Sequence, residues 1–185
     1  IRDRIGALTQ VQTRQGINPR SVKEADVIAL HVDKGHACVQ VFFIRAHQNW
    51  GNSDFYPKIS DDMSNAEIME GCIGQFYNSK EPARLLILSH EPENSELITD
   101  LLSERLSRKV TVSVPQRGER LELVSGALRN AVGSLNRKMA ETATQTKLLK
   151  DLAKVFGLSS TPRRIEVFDN SHIQGCLLYT SDAAD

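Results

Sequence analysis

The feature that most constrains this chain is a pair of apolar runs, residues 26–32 and 37–45, separated only by Asp33-Lys34-Gly35-His36. Short runs rich in Val, Ile and Phe read as strands. A polar four-residue joint containing Gly folds two such strands back on each other as an antiparallel hairpin. A third strand is expected over about 53–59, reached through Asn49-Trp50-Gly51-Asn52, which completes an antiparallel meander. With 185 residues, 40% of them hydrophobic, the chain can bury such a sheet in one domain, or two at most.

Beyond the meander the hydrophobic period changes. Ser64 and Glu67 form a capping-box pattern, followed by the helical stripe Ile68, Met69, Cys72, Ile73 and Phe76. Residues 83–88 are a continuous apolar run, the mark of a buried, parallel strand. A second helix opens at Pro92–Ser95 and carries Leu97, Ile98, Leu101, Leu102 and Leu106 on one face. Residues 110–114 read as a strand stopped by Pro115. A long helix is expected from 119 to 156, bent near Gly133 and ended by Gly157. Residues 164–168 then read as a new strand. The order β-β-β-α-β-α-β-α resembles the ribonuclease H-like α/β fold, with its mixed sheet; a fold by itself assigns no activity. Ahead of it, Ile1, Ile5, Leu8 and Val11 recur at helical spacing over residues 1–15, and 16–22, with Pro19, read as a linker.

Charge is uneven although the 23 basic and 23 acidic side chains cancel. Residues 51–100 carry three basic and ten acidic groups, whereas residues 101–140 carry eight basic and three acidic. Such blocks either face different partners or neutralise each other within the fold. Cys38, Cys72 and Cys176 are too few and too widely spaced for a disulfide framework, and no C-x-x-C pair offers a zinc site. Buried reduced thiols and a cytoplasmic setting are expected. No apolar run approaches the roughly 18 residues that span a bilayer. Starting at Ile1, without a charged-then-apolar leader, the chain reads as a fragment lacking a signal peptide.

Nucleases of the ribonuclease H-like type hold two divalent ions with carboxylates, the first an Asp within the first strand. Here the middle of that strand is Ala29-Leu30-His31, with Asp26 and Asp33 expected at its two ends. The run 83–88 leads into Ser89-His90, with Glu91 after it. Glu67 and Glu70 on the first helix are accounted for as a cap and a solvated charge. The domain is therefore expected to be catalytically silent, the competing reading being a freestanding metal-dependent nuclease built on Asp33, Glu70 and Glu91. The histidines His31, His36, His47, His90 and His172 form no metalloprotease pair, and no glycine-rich phosphate loop occurs.

Arg117 and Arg120, before and within the start of the long helix, either grip phosphate or pair with nearby acids. Arg129, Arg137, Lys138, Lys147 and Lys150 either extend that basic surface or are simply solvated. Trp50 either stacks on a base or, the preferred reading, packs its hairpin. The sharpest local signal is Arg164-Ile165-Glu166-Val167-Phe168-Asp169 followed by Asn170-Ser171-His172, in which Asp169 leaves a strand placed either to bind a metal or to cap a turn.

Together these segments resemble the UvrC family of bacterial excision-repair nuclease subunits. The resemblance covers about residues 1–175. It is carried by Arg2-Asp3 with Ile5 and Leu8, Ala37-Cys38-Val39-Gln40-Val41-Phe42-Phe43, Gly74-Gln75-Phe76-Tyr77, Pro115-Gln116-Arg117-Gly118-Glu119, and Arg163-Arg164 through His172. It implies that residues 1–15 are the second half of a UVR helical motif that binds UvrB, with Ile1, Ile5 and Leu8 as contact residues. It implies that 23–157 form a central ribonuclease H-like domain lacking the catalytic acids. It also implies that 163–175 begin the C-terminal endonuclease making the 5′ incision in damaged double-stranded DNA. Asp169 is then that domain's first metal-binding Asp, for Mg²⁺ or Mn²⁺, and the rest of its site lies outside this chain. A pure UvrB-docking module, neither membrane-bound nor acting on a small molecule, is the third reading.

The pattern stops after Gly175. Cys176-Leu177-Leu178-Tyr179-Thr180-Ser181-Asp182-Ala183-Ala184-Asp185 resembles a translated transposon-end adapter and is expected to be a non-native tail.

Overall fold

The computed structural model describes residues 18–60 and 62–166. Its strands are β1 (Glu24–Asp33), β2 (His36–Arg45), β3 (Gln48–Phe55), β4 (Leu85–Leu88) and β5 (Thr111–Ser113). Its helices are α1 (Asn65–Asn78), α2 (Ser95–Leu106) and α3 (Glu119–Val155). The strands make one sheet in the order β3-β2-β1-β4-β5. β1, β2 and β3 pair antiparallel, while β4 runs parallel to both β1 and β5.

Both hairpins close with two residues. Lys34 and Gly35 adopt φ of 49° and 73°, so that Asp33 pairs with His36. Two consecutive positive-φ residues are what a tight hairpin needs to match strand twist. The second turn does the same with Ala46 and His47, at φ 50° and 63°, pairing Arg45 with Gln48. This corrects the expected third strand. It starts at Gln48 rather than near Ser53, and Asn49-Trp50-Gly51-Asn52 lies inside it. The turn signal was misplaced because neither Ala46 nor His47 is a typical left-handed residue. The irregularity that glycine marks is instead a register shift between Phe42 and Ile44, opposite which Gly51 takes φ 143°. Trp50 does not pack the hairpin: it is 72% exposed.

The central strands are buried on both faces, which explains their near-continuous hydrophobicity. Ile28 and Leu30 of β1, with Val39, Val41, Leu86 and Leu88, face the α1 and α2 residues Ile68, Met69, Cys72, Ile73, Ile98 and Leu102. Val27 and Ala29, with Phe42, Ile44 and Ile87, face Leu123, Val124 and Ala127 of α3. Small Ala25, Ala29 and Ala127 on this second face allow close approach of helix and sheet.

α1 begins with the capping box read from the sequence: Glu67 N donates to Ser64 Oγ at 3.2 Å and Ser64 N donates to Glu67 Oε2 at 2.7 Å. α1 and α2 also cap each other. Glu70 of α1 accepts from Asn94 N at 3.0 Å and from Asn94 Nδ2 at 3.2 Å, at the start of α2, whose Asn94 makes no side-chain cap of its own. Arg105 of α2 returns the support, donating to the carbonyls of Tyr77 and Asn78 at the end of α1.

The chain divides into two compact units, residues 1–137 and 138–185. In the second, the helix ends as Gly157 (φ 61°) sends its N–H to the Lys154 carbonyl and Leu158 N donates to that of Ala153, a Schellman closure. Residues 164–166, expected to open a strand, have no strand structure; Arg164 and Glu166 pair at 2.6 Å. No helix among the described residues is long and apolar enough to cross a membrane.

Candidate functional site

Open sheets with parallel strands bind ligands beyond the carboxyl ends of those strands. In this chain that place is where β1 runs past the end of β4, which is pinned there by backbone and side chain. Ser89 N donates to the Ile28 carbonyl at 3.0 Å, and Leu30 N donates to Ser89 Oγ, also at 3.0 Å. The Ser89 hydroxyl lies 2.9 Å from His90 Nδ1, and His90 Nε2 lies 3.4 Å from Asn65 Nδ2 at the start of α1. Burial holds His90 below the usual imidazole range. The position thus carries a neutral Ser–His–Asn cluster in which the serine oxygen accepts from the Leu30 amide. Ala29 and Leu30 are packed in the two cores on either side of the sheet.

The carboxylates of the competing nuclease reading are engaged elsewhere or stand apart. Asp33 lies by the first hairpin, 4.0 Å from Lys34. Glu70 is not the solvated charge expected, because it holds Asn94. Glu91 is exposed. Among the described residues, no group of three or more His, Cys, Asp or Glu side chains is arranged to hold a metal ion.

Asp26 is the residue that the sequence reading placed wrongly. Because β1 starts at Glu24, Asp26 is inside the strand, and it is 1% exposed. It shares its face with Ile28 and Leu30, so its carboxylate points towards α1. There it accepts from Tyr77 Oη at 2.8 Å, Ala83 N at 3.0 Å and Arg45 Nη1 at 2.8 Å. A buried carboxylate is tolerated when every oxygen has such partners. Burial, then the adjacent Asp26 charge, push the Tyr77 hydroxyl well above its usual range, so Tyr77 remains a donor. The signal was present: positions 26, 28 and 30 alternate onto one face.

Arg117 and Arg120 flank Glu119, which starts α3 after a turn at Gly118 (φ 74°). Neither arginine forms an ion pair with a described residue. Glu119 instead accepts from Arg20 N and from both the amide and the hydroxyl of Ser21. Those bonds, the Ser21 hydroxyl first, hold its carboxyl below the usual range. By tying the segment before β1 to the start of α3, Glu119 brings cations from three separate stretches together. Lys23, Arg84 and Arg120 line one cavity of about 430 Å³, with Glu24 as its acid. Lys23 and Arg84 were not singled out in the sequence, since only the sheet order makes them neighbours of Arg120. Cys38 and Cys72 are buried free thiols, both pushed up to about 11, chiefly by burial. Ile1, Ile5, Leu8 and Asp169 lie outside the described residues.

The strand order, with an antiparallel triplet extended by two helix-connected parallel strands, defines a ribonuclease H-like domain. The family described as UvrC Ribonuclease H-like domain matches residues 24–138, from the first residue of β1 to the residue after Arg137. The chain belongs to this UvrC family. It is similar to UvrABC system protein C of Ruegeria pomeroyi, at 66% identity over 175 residues, covering 95% of this chain and 28% of that relative. Similar proteins of the same name occur in Rhodopseudomonas palustris (52% over 174 residues, 94% of this chain and 25% of the relative) and Brucella abortus (52% over 174 residues, 94% and 28%). The chain thus spans little more than a quarter of the curated relatives it matches.

Proposed function

We propose that this chain is part of a nucleotide excision repair nuclease subunit and that its ribonuclease H-like domain is a non-catalytic scaffold within it. The observation that carries this reading is the neutral cluster of Ser89, His90 and Asn65 at the carboxyl end of β4, beside the middle of β1, where a two-metal nuclease needs carboxylates. A hydroxyl and a neutral imidazole do not balance the charge of two divalent ions.

In this reading the complete protein works in the cytoplasm with UvrB on damaged double-stranded DNA. Ile1, Ile5 and Leu8 contact UvrB. Asp169 belongs to the metal centre of the following nuclease domain, where Mg²⁺ or Mn²⁺ supplies an activated water and charge stabilisation. Arg117 and Arg120 are assigned to DNA phosphates; the support is that neither has an ionic partner among the described residues and that Arg120 shares a cavity with Lys23 and Arg84. Contacts of this kind position a duplex without reading its bases.

The test is incision by the full-length protein carrying either of two changes. Asp169→Asn should abolish the 5′ incision, while Ser89→Ala with His90→Ala should leave incision within a few-fold of the parent. Loss of incision in the Ser89/His90 variant, with an unchanged melting temperature, would make this domain catalytic.

A further inference from the structure

In the Gly74-Gln75-Phe76-Tyr77 segment the side chains divide between core and surface. Tyr77 serves Asp26, but Phe76 is partly buried and Gln75 turns outward. Both line a second concavity, of about 660 Å³, between the end of β3 and the last turn of α1, together with Phe55, Tyr56, Lys58 and Lys80. It involves neither the Ser89–His90 cluster nor the cavity beside Arg120.

Its wall is built of oriented rings. Phe76 lies nearly parallel to Phe55, with centroids 5.8 Å apart and 13° between planes, and to Phe43, at 6.2 Å and 20°. Tyr77 meets Phe76 edge-on at 5.1 Å. With neighbours on three sides, the Phe76 ring is fixed before any ligand arrives. The charged side chains lining the site are both lysines, while the Asp54 carboxylate accepts from the Tyr56 hydroxyl at 2.9 Å beside it. Lys80 Nζ sits 4.2 Å from the Phe76 centroid and 5.9 Å from that of Phe43, and Lys58 has no ionic partner among the described residues. Gln75, exposed and without a hydrogen-bond partner among the described residues, offers a donor and an acceptor at the rim.

Preset aromatic rings, two ammonium groups and one amide match a ligand with a flat π face, an anionic group and polar edges. That is the chemistry of a nucleotide. We propose that this concavity binds an unstacked nucleotide of single-stranded DNA, an assignment that rests on the DNA-repair reading above. The base packs against the Phe55, Tyr56 and Phe76 side of the site, with its phosphate towards Lys58 and Lys80. A paired duplex keeps its bases stacked inside and cannot present one to a recessed ring wall.

The experiment measures fluorescence anisotropy of a labelled oligothymidylate with the 185-residue chain, against an unlabelled duplex of equal length and free thymidine monophosphate as competitors. Phe76→Leu should weaken binding about tenfold, the scale of one lost base stack. Lys58→Gln should reduce the slope of log K against log salt by about 0.7. Gln75→Ala and Lys58→Gln alter exposed side chains and guard against a Phe76→Leu variant that fails to fold. Binding unchanged in all three variants, or a duplex that competes as well as the single strand, would overturn the assignment. Monophosphate competing as well per nucleotide would overturn the strand as the ligand's source. DNA nicking by the chain would defeat the scaffold reading yet leave this binding result standing, so the two failures are distinguishable.

Discussion

The phenolic oxygen of Tyr77 lies 2.8 Å from Oδ2 of Asp26, tying the last turn of α1 to the inside of β1. Asp26 is thus a carboxylate on the first strand of a ribonuclease H-like sheet that serves the fold. Its three donors come from β2, α1 and Ala83, two residues before β4, so it joins the hairpin to the parallel half of the sheet.

Tyr77→Phe removes one of these donors while keeping the ring. A hydrogen bond to a charged acceptor is worth about 1.5–3 kcal/mol, and urea denaturation should show a loss in that range. Arg45→Met strips the cationic partner from a buried charge; because the Arg45 side chain is 30% exposed, the expected loss is about 2 kcal/mol, below that of a fully buried pair. Equal stability of either variant and the parent would remove Asp26 from the account of the fold.

Stability should fall in acid, partly through Glu119 and Glu67, both held below the usual carboxylate range by hydrogen bonds. A depressed folded-state value means the contribution is complete above the unfolded value near 4.5 and disappears as pH falls through the folded one. Glu119→Gln should flatten the decline of melting temperature below pH 4.5. An unchanged slope would mean that the bonds to Arg20 and Ser21 do not persist in solution.

His90 gives a second, separate pH signature. Burial lowers its folded-state value below 6.5, so its contribution is present above that pH and is lost as pH falls towards the folded value. Its ring proton chemical shifts should titrate with a midpoint below 6.5. A midpoint at or above 6.5 would place the ring in solvent or beside an anion.

Much of this fold was legible because its signals are local. The Ser64–Glu67 box, the apolar stripe of α1 and Gly157 at the end of α3 each act within a few residues. What was misread depends on pairing at a distance. The start of β3 is set by an Ala46–His47 turn without a glycine signal, and the identity of Asp26 as an interior residue follows from β1 beginning two residues earlier than its apolar run. Glu70 read as a solvated charge because its partner Asn94 belongs to the next helix. The expectation of a silent domain came from Ala29-Leu30-His31 and Ser89-His90, each a local run, whereas the company of Arg120, Lys23 and Arg84 required the sheet order.

Cys38 and Cys72, buried and with thiols raised to about 11, should resist a thiol reagent at pH 8. In a Cys176→Ser variant, native protein should react slowly, and two equivalents should appear only on denaturation. Fast reaction of either thiol in the native state would mean that the core around it opens.

Truncation after Gly175 should leave the melting temperature within about 1 °C of the full chain, as expected for removal of a non-native tail. A markedly lower value would show that the last ten residues belong to the fold.

The most direct measurement is nicking of supercoiled plasmid by the purified 185-residue chain with Mg²⁺ or Mn²⁺. A domain whose catalytic end holds Ser89, His90 and Asn65 should leave the plasmid supercoiled at all metal concentrations, with the chelated control indistinguishable from the metal-loaded reaction. Metal-dependent conversion to open circles that is lost in Asp33→Asn or Glu70→Gln protein would contradict the scaffold reading and restore catalysis to this domain.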